Sequence, residues 1–343
     1  MTASPDPLTD PTAFEQHVQG QIDNKTKPQG ALGIVERLAL RLAQTMKTAA
    51  PRLNRCELMI FAADHGIAAD GVSAYPQQVT REMALNFLRG GAAANVFART
   101  VGATVRVVDA GIAGDPIEHA DLIDRRIGAG TQNSRTGPAM NDNQRDAALA
   151  VGAKLAAGSD ADALCFGEMG IGNTSAATLL AHKILGLPLN ELVGRGTGLD
   201  DTGLQHKTSI LRDAAARTAP TLPAAEALTE YGGFEIAMMM GAMIDCARSD
   251  RPVLVDGFIA TAAALAARDM KPEVWPAMFF SHRSVERGHG QILDALDVRP
   301  ILNLDMRLGE GTGALLSWPI LRAAAAMLTD MASFADAEVS GPV

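Results

Sequence analysis

Six short apolar runs punctuate the chain: Leu58–Ala63 (LMIFAA), Thr104–Val108 (TVRVV), Ala163–Phe166 (ALCF), Pro252–Val255 (PVLV), Ala277–Phe280 (AMFF) and Ile301–Leu304 (ILNL). Each has the length of a strand. Most are continuous rather than alternating, as expected of strands covered on both faces. Between them lie Ala-, Leu- and Met-rich stretches of helical length, among them Thr174–Leu185, Phe234–Ala247 and Thr261–Arg268. Strands alternating with helices predict an α/β fold with a mainly parallel sheet.

The two ends read differently. Thr12-Ala-Phe-Glu15 has the capping-box pattern of a helix start, and a second helix is expected from about Gly33 to Thr48. The stretch after Gly313 also reads helical, with Pro319 either kinking the helix or marking its start. We therefore expect a small helical domain from residues 1–50 and 314–343, beside an α/β domain from residues 51–313. The tail from Ala335 to Val343 is expected to be loose.

The residues after the apolar runs carry the chemical signal. They are Asp64-His65-Gly66, Asp109-Ala110-Gly111, Gly167-Glu168-Met169-Gly170, Asp256-Gly257, Ser281-His282, and Asp305 followed by Gly309-Glu310-Gly311. Ligands of open α/β sheets bind outside the carboxyl ends of the strands, where glycine admits close backbone approach. Such turns after nearly all six runs predict a polar pocket along one sheet edge.

Composition narrows the partners. The 343 residues make about two domains' worth. With 47% hydrophobic and 20% charged residues, disorder is excluded. A net charge of -9 disfavours nucleic acid, whose phosphates need clustered Lys and Arg, and 4% aromatics supply no base-stacking platform. The longest charge-free stretch found, Met169–His182, is 14 residues, short of the roughly 20 that cross a membrane. The N-terminus has neither a basic nor an apolar leader region, so a cytoplasmic protein is expected. Cys56, Cys165 and Cys246 make no disulfide framework or metal motif and are expected to be buried thiols.

Four motifs stand out. GEMGIGNTS (Gly167–Ser175) leads from a strand into a helix, where backbone N–H groups and the helix dipole favour an anion. Asn173, Thr174 or Ser175 could cap that helix or bind the anion directly; a plain capped helix is the alternative. It is not a phosphate-binding Gly-Lys loop, and as a dinucleotide fingerprint it fails at Ser175. GRGTGLDDTGLQHK (Gly194–Lys207) offers Arg195 or Lys207 to a phosphate, against a flexible loop with a solvated lysine. In VLVDGFIAT (Val253–Thr261), Asp256 is placed to accept from ribose hydroxyls, although Asp-Gly also makes turns. MRLGEGTGA (Met306–Ala314) sets Glu310 between two glycines, where a turn needs no glutamate. Partial burial would lift its pKa above about 4.3 and make it a proton acceptor near neutral pH. The histidines give no metal triad and no HExxH pattern. His65 and His282 follow strands and are candidates for ligand contact, with a structural role the commoner alternative. His206 and His289 are expected at the surface. No Gly-x-Ser-x-Gly elbow is present.

Taken in order, these motifs resemble one family, the nicotinate-nucleotide–dimethylbenzimidazole phosphoribosyltransferases. KPQGALG (Lys27–Gly33), FAADHGIAADGVSAYPQQVT (Phe61–Thr80), VDAGI (Val108–Ile112), GPAM (Gly137–Met140), GGFEIAMMMGAM (Gly232–Met243) and FSHRSVERG (Phe280–Gly288) belong to the same set. The resemblance runs from about Lys27 to Met327. It implies a Rossmann-like six-stranded sheet with a small helical domain, a homodimer, and no cofactor or metal. The implied reaction moves the phosphoribosyl group of nicotinate mononucleotide to dimethylbenzimidazole, in cobalamin nucleotide-loop assembly. Glu310 matches the family's general base, and Glu168 is the candidate for steadying positive charge on the sugar. Gly170, Gly172, Asn173, Thr174 and Lys207 fall in the phosphate segments. Asp256 is the implied ribose contact, with Ser284, Gly311 and Thr312 in the same phosphate–ribose set. Tyr75, Met83 and Leu308 are the implied walls of the base pocket. Tyr75 is larger, and Met83 less polar, than the Ser and Gln associated with well-known members, which leaves the preferred base open. Two other readings remain. A nicotinamide-dependent dehydrogenase is disfavoured by the broken fingerprint, and a nucleotide sensor would give Glu310 no role.

Overall fold

The computed structural model describes residues 10–196 and 198–340. The segment read for a leader, residues 1–9, and the last three residues of the tail lie outside the described residues.

The sheet contains β1 (Cys56–Ala63), β2 (Thr104–Gly111), β3 (Leu122–Asp124), β4 (Ala163–Met169), β5 (Val253–Val255) and β6 (Met278–Phe280). All neighbours run parallel, in the order β3-β2-β1-β4-β5-β6. The direction of winding reverses between β1 and β4, which opens a crevice at their carboxyl ends. A separate parallel pair joins β7 (His282–Arg283) to β8 (Leu302–Asn303).

The expected strand count holds, but one member differs. Ile301–Leu304 is not in the main sheet; it supplies β8, and its Leu304 is 49% exposed. The sixth strand is β3, an edge piece of three half-buried or exposed residues. Its Leu-Ile-Asp, flanked by Asp121 and Arg125, is too short and too polar to register as an apolar run.

Thirteen α-helices surround the sheets among the described residues: α1 (Pro11–Asp23), α2 (Ile34–Thr45), α3 (Val79–Leu88), α4 (Ala93–Val101), α5 (Asp142–Ala157), α6 (Asn173–Leu185), α7 (Leu189–Leu192), α8 (Asp201–Ala215), α9 (Ala224–Tyr231), α10 (Phe234–Arg248), α11 (Phe258–Met270), α12 (Arg287–Ala295) and α13 (Thr312–Asp330). Side chains alternate across a strand, so β1 feeds two cores. Met59 and Phe61 pack with apolar residues of α5, α6, α10 and α11. Leu58 and Ile60 pack with those of α1, α2, α4 and α13. Every residue of β1 is buried, which is why its sequence is continuously apolar apart from Glu57.

The chain ends meet on the second of these faces. Thr26 N–H donates to Ala332 O at 3.1 Å, and Lys25 and Ser333 form an isolated bridge. The first helix begins earlier than its sequence suggested. Asp10 caps it through the Thr12 N–H, and Pro11 takes the first helical position, where its missing N–H costs nothing. Pro319 neither starts nor ends α13; it lies on the solvent face, where water can replace the lost hydrogen bond. The tail is not loose as far as residue 340. Phe334 N–H donates to Asn24 O, Val339 N–H donates to Phe334 O, and Asp336 accepts from Ser333. All three cysteines are buried free thiols. No helix among the described residues is long and apolar enough to cross a membrane.

Candidate active site

A cavity of about 770 Å³ opens at the carboxyl edge of the sheet. The end of β4 contributes Glu168, Met169 and Gly170, and the residues after β5 contribute Asp256 and Gly257. His282 and Ser284 enter from the chain after β6, Val79 and Met83 from α3, and Met306–Glu310 from the loop before α13.

Glu310 is held in a rare conformation. Gly309, Glu310 and Gly311 have φ of 83°, 60° and 79°, the left-handed region that a glutamate seldom enters. Strain of this kind persists where surrounding structure enforces it, often at functional sites. Glu310 is 7% exposed. Its carboxyl group accepts the Ala94 backbone N–H at the start of α4, while Oε2 is buried without a hydrogen-bond partner. Burial, with the negative charge of Asp256 nearby, lifts its pKa from 4.5 to about 7.

Glu168 and Asp256 are also buried. Burial raises Glu168 well above the ordinary carboxylate range, and the charges of Asp256, Glu235 and Glu310 add to the rise. Its carboxylate accepts from the Asn173 side chain and from the Glu310 backbone N–H. Asp256 is raised by burial and lowered by nearby His282; it accepts Gly311 N–H at 3.2 Å and Ala314 N–H at 3.0 Å. The cavity therefore gathers three buried carboxyl groups whose proton affinities are raised. A ligand carrying positive charge would restore their ionised forms.

The start of α6 forms another wall. Its N-cap is Gly172, with φ 100°, and no side chain caps it. The expected cappers are otherwise engaged: Asn173 holds Glu168, Thr174 Oγ1 accepts from Lys207 Nζ at 2.9 Å, and buried Ser175 Oγ has no partner. Asn173 N–H donates to Gly170 O at 3.1 Å and Ser175 N–H to Gly172 O at 2.9 Å, so what this helix start offers an anion is chiefly its dipole, unmasked by any side-chain cap. Lys207 is not the solvated lysine of a flexible loop; it lies within α8. It is fully buried, and desolvation lowers its pKa from 10.5 to about 8.

Of the residues singled out in the sequence, Gly170, Asn173, Thr174, Asp256, Ser284, Tyr75, Met83, Leu308, Glu168 and Glu310 line the cavity. Four others do not. Lys207 stands behind Thr174, and Gly172 shapes the turn. Gly311 donates to Asp256, and Thr312 Oγ1 donates to Gly309 O at 2.7 Å, so both brace the Glu310 loop. Arg195 is engaged by Asp201 and Leu199 O. His206 is exposed as expected, but His289 is buried, bonded to Thr261 Oγ1 and Ser284 N–H. His65 pairs with Glu235 at 2.6 Å away from the cavity. Sequence reasoning missed Phe258, Met306, Arg307 and Glu286 as lining residues. It also missed the brace in which Thr80 Oγ1 donates to Asp64 at 2.7 Å and accepts Ile171 N–H at 3.0 Å.

A doubly wound parallel sheet, with an uncapped helix start and a buried carboxyl group of raised pKa at its winding reversal, is a frame on which enzymes handle nucleotides. A family model described as phosphoribosyltransferase matches residues 9–339. The nicotinate-nucleotide–dimethylbenzimidazole phosphoribosyltransferase of Aromatoleum aromaticum is 49% identical over 341 residues, covering 98% of each chain. That of Cupriavidus necator is 49% identical over 337 residues, covering 97% of each. The crystal structure of CobT from Thermus thermophilus superposes with a TM-score of 0.92 at 44% identity, covering 96% of this chain and 99% of that one. The chain belongs to the nicotinate-nucleotide–dimethylbenzimidazole phosphoribosyltransferase family.

Proposed function

We propose that the protein transfers the phosphoribosyl group of nicotinate mononucleotide to dimethylbenzimidazole or a related base, giving α-ribazole phosphate and nicotinate. The leaving nicotinate is already a pyridinium, so breaking its bond to C1′ returns the electron pair to the ring without a general acid. Positive charge grows on the sugar as that bond opens, and the Glu168 carboxylate steadies it. The pyridinium itself draws Glu168 into the ionised form needed for this. The incoming base attacks C1′ from the opposite face through its unprotonated nitrogen. The proton on its second nitrogen passes to Glu310 Oε2. The phosphate sits at the start of α6, with Lys207 supplying charge through Thr174. Tyr75, Met83 and Leu308 flank the base.

The observation that carries this reading is the free oxygen of Glu310, buried in the cavity on a carboxyl group with a pKa of about 7. Incubating the protein with nicotinate mononucleotide and a panel of bases, then weighing the products, tests it; no new nucleotide with any base would overturn it. A homodimer, which the family resemblance implies, and the cytoplasmic setting expected from the sequence belong to the same proposal; light scattering of the purified chain tests the dimer.

Two outcomes follow. Catalysis needs Glu310 ionised and phosphate binding needs Lys207 charged, so kcat/KM is expected to rise with pH through about 7 and to fall again above about 8. A profile already flat from about pH 5 upwards would remove Glu310 as the base. Lys207→Met is expected to raise KM for the mononucleotide about tenfold or more with a smaller change in kcat, because the positive charge that acts on the anion through Thr174 is lost. An unchanged KM would take Lys207 out of the phosphate site.

A further inference from the structure

The His65–Glu235 pair has no place in the mechanism above. Both residues belong to motifs that the site leaves unused, Asp64-His65-Gly66 after β1 and Gly232-Gly233-Phe234-Glu235 at the start of α10. Their side chains are 2% and 0% exposed, and His65 Nε2–H donates to Glu235 Oε1 at 2.6 Å. Burial opposes a charge on the imidazole, but the carboxylates of Glu235 and Asp64 outweigh it and raise its pKa. Glu235 Oε2 is buried with no partner among the described residues, so the carboxyl group is held from the His65 side. A buried ion pair adds little stability over apolar residues of the same volume, so its presence here calls for another reason.

The reason lies in what the ring touches. β4 ends at Met169 and α6 begins at Asn173, so only Gly170, Ile171 and Gly172 join them. That short turn separates Glu168 from the helix start assigned to the phosphate. Thr80 braces it at the Ile171 N–H, and its two glycines have no side chains to anchor it. His65 lies against both of them. A Cβ on Gly170 would lie 3.4 Å from His65 Cδ2, and one on Gly172 would lie 3.1 Å from His65 Cβ. The His65 backbone is fixed in turn, since Thr131 N–H donates to Asp64 O and Ala68 N–H to His65 O, both at 3.0 Å. The far edge of the ring is closed by α10. A Cβ on Gly233 would lie 2.4 Å from His65 Cε1 and 2.5 Å from Glu235 Oε2, so the chain leaves only the room that the pair fills. Glu235 sits in the first turn of α10, whose residues 234–243 are all buried, which makes that helix a rigid anchor.

We propose that His65 and Glu235 are positioning residues for the transfer: the pair pins the Gly170–Gly172 turn to α10 and so fixes Glu168 relative to the phosphate end of the nucleotide. Neither residue touches the substrate. The roles of Glu168 and of the helix start come from the proposed function, and the positioning rests on them. A turn displaced by about 1 Å would shift the sugar against Glu168, a misplacement that can cost about 100-fold in rate.

The test replaces the pair at nearly constant volume. His65→Leu combined with Glu235→Met exchanges two charged groups for two apolar ones, and this double variant is expected to unfold within a few degrees of the wild type. Nicotinate release and calorimetric binding of nicotinate mononucleotide are measured, with the binding stoichiometry counting folded sites. Per folded site, kcat is expected to fall about 100-fold and affinity about tenfold. A purely structural role would move the unfolding temperature and leave both constants alone. His65→Gln keeps an N–H donor that reaches Glu235, and its kcat is expected to stay within about fivefold of the wild type. Gly233→Ala displaces the pair without deleting either member and is expected to lower kcat as the double variant does; it decides the matter should the double variant not fold. The inference is overturned if either of these two, once folded, keeps wild-type kcat and affinity, or if folded His65→Gln loses as much as the double variant. Should the wild type bind the mononucleotide but release no nicotinate, the proposed reaction fails. The affinities of the same variants then still decide the positioning.

Discussion

Glu310→Gln is expected to lower kcat about 10²- to 10⁴-fold, the span that a positioned general base contributes. Affinity for nicotinate mononucleotide is expected to stay within about twofold, because in the proposed reaction the residue acts on the incoming base and not on the nucleotide. Glutamine has the shape of glutamate and still accepts the Ala94 N–H, so the strained loop from Gly309 to Gly311 keeps its form. What disappears is the one oxygen able to take a proton. Heat resistance is expected to move the other way. A carboxyl group whose folded pKa is raised from 4.5 to about 7 contributes its stability fully below 4.5 and loses it as pH rises through 7. Ionising the wild-type Glu310 at about pH 8 therefore costs about 3 kcal/mol, which a neutral glutamine avoids. The variant should unfold at a higher temperature than the wild type at about pH 8, and at nearly the same temperature at about pH 4. Nicotinate release by this variant at the wild-type rate would refute the base assignment. A lower unfolding temperature at the higher pH would refute the burial argument behind it.

The parts of the site legible in the sequence are those built from short local segments. β1, β4 and β5 show as apolar runs because each is buried on both faces. Residues just beyond such a run must lie at one edge of the sheet, so Glu168 and Asp256 could be placed together before any coordinates were known. Glu310 stood out because a carboxylate between two glycines serves no turn. The hidden parts depend on contacts distant in sequence. Thr80 and Ile171 are 91 residues apart, and nothing in either segment names the other. His289 reads as a surface residue from its polar neighbours, yet α12 turns it inward onto Thr261. Gly311 and Thr312 share a motif with Glu310 but brace it, Gly311 through the Asp256 carboxylate and Thr312 through the Gly309 carbonyl. A motif reports that a segment matters without saying which of its side chains point at the ligand.

Gly167→Ala should be nearly as damaging to catalysis as removing the base, though it alters no polar atom. Gly167 lies within β4, paired with Ile60 of β1. A Cβ there would lie 2.5 Å from the carbonyl carbon and oxygen of Glu310 and 2.9 Å from the Gly311 N. These are backbone atoms with no rotamer to escape into. The strand is pinned by pairing on both sides, to β1 and to β5, so the Glu310 loop must yield instead. Moving a catalytic group by about 1 Å can cost about 100-fold in rate, and that loss is expected in kcat. Overpacking of this kind also destabilises by about 1–3 kcal/mol, so the unfolding temperature should drop. The specific signature is the pH profile. A loop lifted off β4 admits water to Glu310, its pKa falls back toward 4.5, and the rise in activity near pH 7 moves to lower pH. Gly20→Ala serves as the control, since its Cβ meets nothing within 4 Å on the exposed face of α1. It should leave turnover unchanged and stabilise the helix by up to about 1 kcal/mol. If Gly167→Ala kept both wild-type turnover and the wild-type pH profile, close packing of the Glu310 loop on β4 would not be what sets that carboxyl group in place.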